Sequence, residues 1–183
     1  TTIINLISRF YEVQKGQILI DDIPINDINL KSLRRNISVV LQDVFLFSGS
    51  IKNNITLHSP ISDEEVQNAL ELSCADTFIS ELPRKMREPV TERGSTFSAG
   101  QRQLLAFART IAHNPSIFVL DEATANIDTK TEKLIQKSIE NVSTGRTTVI
   151  IAHRLSTIRH SDIIFIINDG RIIEKGNHDT LME

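Results

Sequence analysis

The 183-residue sequence has a single cysteine, Cys74, which excludes an internal disulfide framework and fits a reducing compartment. The expected role of Cys74 is that of a small residue packed on a helix. There is no excess of either charge. Twenty basic and 23 acidic residues are well mixed and leave a net charge of −3, which argues against a nucleic-acid-binding surface; no nucleic acid is expected as a partner. There is no signal peptide and no apolar run long enough to cross a bilayer. The longest run, Ile163 to Ile167, has the length of a strand. An initiator Met is also missing. Thr1-Thr2-Ile3-Ile4 reads as the middle of a helix and Thr180-Leu181-Met182-Glu183 stops inside another, so the sequence is read as a fragment.

What is present is 40% apolar residues, enough to bury the core of one large domain or of a core with a subdomain. Ile3, Ile4, Leu6, Ile7 and Phe10 fit one side of a short helix. Strands are expected at Gln17 to Asp22, Ile37 to Leu41, Ile117 to Leu120 and Thr147 to Ala152, the last two as buried strands. Helices are expected at Leu30 to Arg35, after the Ser62/Glu65 capping box, at Cys74 to Leu82, and from about Thr129 to Val142 with Thr129 and Glu132 as a capping box. The strongest helix signal is Leu104, Phe107, Ala108, Ile111 and Ala112, with Ser98 as N-cap and Asn114-Pro115 as stop. Asn168-Asp169-Gly170, between Ile163–Ile167 and Arg171–Glu174, signals a hairpin. Buried strands alternating with helices imply an α/β fold with a parallel sheet covered on both faces. The strand-poor stretch from about 52 to 101 is expected to be a helical subdomain, inserted into a core formed by 1–51 and 102–183.

Three predicted strands end on polar residues that suit phosphate chemistry. Asp121 and Glu122 close one of them, at the sheet edge where α/β proteins bind ligands. Asp121 can face Mg2+, since hard cations take oxygen ligands. Glu122, on the other face of the pleat, can act as base toward an attacking water. Taken alone, the pair is more often two solvated acids. Gln42 ends a second strand and can offer a neutral oxygen to the same metal. His153 ends a third and can hydrogen-bond a γ-phosphate. Ser98-Ala99-Gly100-Gln101 opens the best helix, whose N–H groups and positive dipole end suit an anion. Gly100 would let a ligand approach the backbone closely. A lone Ser-x-Gly is otherwise an ordinary cap.

These residues closely resemble the ATP-binding cassette (ABC) family. Ser98-Ala-Gly-Gln-Arg-Gln103 resembles its signature, Ile117-Phe-Val-Leu-Asp-Glu122 its Walker B strand and catalytic glutamate, and Ala123-Thr-Ala-Asn-Ile-Asp128 its D-loop. Ile151-Ala-His153-Arg resembles the H-loop, Val40-Leu-Gln42-Asp the Q-loop, and Thr1-Thr2 the end of Walker A. Ala99 and the Ala-Asn-Ile of the D-loop depart from the commonest forms. The segment from Gln42 to Ile51 and Thr91-Glu92-Arg93-Gly94 are similar to the exporter branch.

The resemblance implies a P-loop NTPase (RecA-like) parallel-sheet core with an inserted α-helical subdomain. It implies an ATPase of a membrane exporter, using ATP and Mg2+ at the cytoplasmic face of the cell membrane. Thr1, Gln42 and Asp121 would serve the metal, and Thr2 the α-phosphate. Glu122 and His153 would be catalytic. Ser98, Gly100 and Gln101 would bind the ATP of a second ABC nucleotide-binding domain, in a homo- or heterodimer. A transmembrane domain is expected upstream on the same polypeptide, along with the phosphate-loop glycines and Lys; without these, residues 1–183 alone are expected to be inactive. The alternative is a soluble ABC ATPase of DNA repair or translation, but no coiled-coil heptads or two-cassette linker are visible.

Overall fold

In the computed structural model, the structure describes residues 2–121, 127–152 and 155–182. The chain opens with helix α1 (Thr2–Ile7), the short strands β1 (Leu19–Ile20) and β2 (Ile23–Pro24), and helix α2 (Leu30–Asn36). Strand β3 (Ile37–Val40) follows, then β4 (Gly49–Ser50), α3 (Ile51–Thr56), α4 (Asp63–Leu72), α5 (Asp76–Ile79) and β5 (Pro89–Val90). The second half runs α6 (Ala99–His113), β6 (Ile117–Asp121), α7 (Thr129–Ser143), β7 (Thr147–Ile151), α8 (Leu155–Ile158), β8 (Ile164–Asn168), β9 (Arg171–Gly176) and α9 (His178–Leu181).

The expected parallel sheet is present. β3, β6 and β7 lie in that order, with Val40 beside Leu120 and Asp121 beside Ile151. The pleat sorts β6 into two packing layers. Phe118 and Leu120 join one apolar cluster with Leu104, Leu105 and Phe107 of α6, Ile135 and Ile139 of α7, and Ile51 and Ile55 of α3. Val119 joins the other, with Ile4 of α1, Leu33 of α2, Ile25 and Ile37. Helices therefore cover both faces, as the near-continuous apolar strand requires.

The helix boundaries follow from capping. The Ser62 and Glu65 side chains form the expected capping box on α4. α6 starts at Ser98 and ends where Asn114 turns left-handed (φ 43°) ahead of Pro115. At α7 the cap differs from the sequence reading. Asp128, one residue earlier than Thr129, accepts the Thr131 N–H (3.0 Å). Asp is among the best N-cap residues, so Thr129 becomes the first helical residue instead.

Other expectations shift as well. The strand expected over Gln17 to Asp22 contracts to Leu19–Ile20, because Asp21 and Asp22 turn left-handed (φ 48° and 64°) and reverse the chain into β2. β7 is half-buried rather than buried; among the described residues it pairs only with β6. Cys74 is buried, but in a left-handed turn (φ 58°) between α4 and α5 rather than on a helix, and burial pushes its thiol pKa up. The hairpin forms as read. β8 and β9 pair through Asn168 and Arg171, and positive φ at Asp169 and Gly170 gives the turn its hand.

Candidate functional site

The parallel register fixes where the strand ends lie. β3, β6 and β7 point the same way, so Gln42, two residues past β3, and Asp121, the last residue of β6, share one sheet edge with the end of β7. Neighbouring strands are about 4.8 Å apart. Asp121 continues the Ile117/Val119 side of the pleat, the side on which α1 packs. It therefore shares a face with the helix that Thr2 begins. Gln42 and Thr2 are exposed and Asp121 is half-buried. Thr1, Glu122 and His153, together with 123–126 of the D-loop, lie outside the described residues.

Ser98, Gly100 and Gln101 belong to the opposite layer, since α6 packs on the Phe118/Leu120 face. Ser98 and Gln101 form a reciprocal cap. The Ser98 hydroxyl oxygen accepts the Gln101 N–H (3.2 Å), and the Gln101 amide oxygen accepts the Ser98 N–H (3.0 Å). This uses the acceptors of both side chains. Their donors, the Ser98 hydroxyl proton and the Gln101 side-chain NH2, still point to no acceptor among the described residues. The start of α6 is thus a cap and a donor cluster at once. Gly100 has a packing reason that the sequence did not reveal. A Cβ there would overlap the Thr131 methyl and touch Ile127, so the glycine lets α6 press against the start of α7. Asp128 holds that start in place; the hydrogen bonds from the Thr131 hydroxyl and N–H keep its carboxyl below the usual carboxylate range.

Sequence reasoning also missed a lock on the loop that follows Gln42. Asn54, 2% exposed, accepts the Phe47 N–H (2.8 Å) and donates to the carbonyls of Phe47 (2.8 Å) and Ser50 (3.1 Å). Arg109, on α6, donates to the carbonyls of Asn54 (2.8 Å) and Phe45 (3.4 Å). Burial pulls the Arg109 pKa down, and among the described residues no carboxylate pairs with it. The Arg93 N–H donates to the Leu46 carbonyl (3.0 Å), and Gly94 (φ 62°) sits where a Cβ would meet the Leu46 side chain at 2.7 Å. No periodicity announces these contacts, because each joins polar groups from separate elements.

The donor set suits a magnesium–nucleotide. Gln42 and Asp121 offer hard oxygen atoms, and among the described residues no group of three His, Cys, Asp or Glu forms a protein-only metal cage. Mg2+ is ordinarily held by one or two carboxylates together with phosphate oxygens and water. Among the described residues no helix is long and apolar enough to cross a membrane.

Comparison with known proteins agrees with this geometry. The ABC transporter family matches residues 1–125. An uncharacterized ABC transporter ATP-binding protein of Bacillus subtilis, YknV, is 56% identical over 183 residues, covering 100% of this chain and 30% of its own length. An ATP-dependent lipid A-core flippase of Methylobacillus flagellatus is 44% identical over 184 residues, covering 100% of this chain and 32% of its own. The solved structure of a bacterial Atm1-family ABC exporter with ATP bound superposes with a TM-score of 0.91 at 41% identity, covering 99% of this chain and 32% of that one. The chain thus spans about a third of the length of these relatives. It belongs to the ABC transporter family, as an ATP-binding domain.

Proposed function

We propose that this chain is the ATP-hydrolysing domain of a membrane exporter and couples ATP-driven dimerisation to transport. The observation that carries the reading is the common edge on which β3, β6 and β7 end, with Asp121 on the α1 face. Thr1, Gln42 and Asp121 hold Mg2+, which when bound neutralises charge on the phosphates. Thr2 touches the α-phosphate. Glu122 takes the proton of the attacking water, and His153 donates a hydrogen bond to the γ-phosphate. Ser98, Gly100 and Gln101 present their donors to the ATP of a second ABC domain, which fits their place on the opposite sheet layer from Asp121.

The partner domain in the membrane, the cytoplasmic-face location and the 52–101 helical subdomain belong to the same proposal. The similarity to a flippase and to an exporter structure favours it over a soluble ATPase. Ile163, Phe165, Ile167, Ile172 and Ile173 of the β8–β9 region are all exposed, a patch of the kind that marks an interaction surface. The test is Glu122→Gln in the full-length protein. Turnover should vanish while an ATP-bound dimer accumulates on size-exclusion chromatography. Unchanged hydrolysis would refute the role of Glu122.

A further inference from the structure

We propose that Arg109 and Asn54 are positioning residues that clamp the loop after Gln42 onto α6, so that this loop and the signature helix move as one piece. The inference rests on the ATPase reading above and adds two residues outside every motif named so far. Three successive carbonyls of the loop are each held by a different element. Phe45 is bound by Arg109 of α6, Leu46 by the Arg93 N–H ahead of the signature, and Phe47 by Asn54 of α3. Arg109 also grips the Asn54 carbonyl, so the two clamps are joined. His113, one turn further along α6, contacts the next carbonyl, Ile55 (3.1 Å).

The side chains show what this grip achieves. Leu46 is fully buried (0% exposed), whereas its neighbours Phe45 (46%) and Phe47 (54%) are exposed and meet edge to face at 5.0 Å. Holding the loop's carbonyls keeps the pair presented and ties its position to α6. The strong links run through Asn54, at 2.8 Å to the Phe47 carbonyl and 2.8 Å from Arg109, whereas the 3.4 Å bond to the Phe45 carbonyl is long and exposed. Asn54 is buried, and the Arg109 guanidinium is partly desolvated with carbonyls as its acceptors. Neither residue lies at the strand edge that carries Gln42 and Asp121, so neither is expected to contact nucleotide. Their loss should act on turnover through the loop and leave ATP affinity nearly intact.

The experiment uses the full-length protein in lipid, in a cysteine-free background with a nitroxide at Ser48→Cys, an exposed position of the loop that leaves both rings in place. Spectra and MgATP kinetics are recorded for unsubstituted protein, Arg109→Met, Arg109→Lys and Asn54→Ala. The expected result is a restrained label that becomes mobile in Arg109→Met and Asn54→Ala. In those variants kcat should fall about ten-fold while KM for MgATP changes less than about two-fold. Arg109→Lys, which keeps the charge and a donor, should recover part of both and serves if the Met variant fails to fold. A label equally restrained in Asn54→Ala and in the folded Arg109 variants overturns the clamp, as does loss expressed in KM alone. Absence of any hydrolysis by the unsubstituted protein would instead count against the ATPase reading, and the label would still decide the clamp.

Discussion

The body around α6 and the β8–β9 hairpin are both rich in apolar residues but use them differently. Around α6, the rings of Phe107 and Phe118 meet edge to face (6.2 Å), and Leu104, Leu105, Leu120, Ile51 and Ile55 are sealed from water. In the hairpin, Ile166, Ile167, Ile172 and Ile173 remain exposed. Apolar content is therefore a poor guide to stability until one knows what faces it. The first region closes on itself within this chain. The hairpin leaves its apolar side chains facing water, and a two-stranded ribbon is marginal without something packed against it.

This comparison can be broken or sharpened by substitution. The largest effect is expected at its centre. Phe118→Ala should lower unfolding free energy by about 3–5 kcal/mol in denaturant titration, and a loss near zero would mean the α6 body is not packed as described. Next comes Gly100→Ala, which forces a Cβ onto the Thr131 methyl and should cost about 1–3 kcal/mol by overpacking. Thr131→Ser in the same protein removes that methyl and should restore much of the loss. Ser98→Ala should cost about 1 kcal/mol through the lost cap. Ser98→Asp should keep that stability yet depress ATP hydrolysis, because a carboxylate repels an anion, and this separates the two uses of the α6 start. The smallest effect is expected in the hairpin. Ile172→Thr should change the unfolding free energy of residues 1–183 by less than about 0.5 kcal/mol, and a clearly larger loss would show that the hairpin is already buried.

Acid tests the exposed carboxyls that hold the helix starts and the Lys52–Asp63 ion pair. The carboxyls of Asp63, Glu65 and Asp128 are all lowered. Asp63 is lowered by its hydrogen bond and charge contact with Lys52, Glu65 by the Ser62 N–H and hydroxyl, and Asp128 by Thr131. A folded pKa below the unfolded one means stabilisation that is complete above the unfolded values, about 4. It is lost as pH falls below them, through the lowered folded values. Unfolding followed from pH 6 to pH 2 should show the contribution of these three carboxyls disappearing in that acid range. Asp128→Asn, which keeps a capping oxygen but cannot titrate, should flatten part of the decline.

Much of this was legible in the sequence where a signal lies within one element. The apolar run 117–120, the stripe of α6, the Ser62 capping box and the Asp169-Gly170 turn each state a local geometry. The strand-end position of Asp121 followed from the same reasoning. What was not legible joins separate elements. In the sequence Gly100 suggests room for a ligand, and the structure also shows it making room for Thr131. Asn54 and Arg109 carry no pattern, because their partners are backbone carbonyls, which every residue has. The α7 cap was misplaced by one residue because Asp128 and Thr129 are both competent caps, and only the path of the incoming chain decides between them.

We propose that the ends of β3, β6 and β7 form one magnesium–triphosphate centre. The most direct measurement is MgATP hydrolysis by the full-length protein carrying Asp121→Asn, with folding checked by its melting temperature. The account predicts a fall of at least about 100-fold with the fold intact, since electrostatic support of a transferring phosphoryl group is worth that much or more. Hydrolysis close to that of the unsubstituted protein would contradict it.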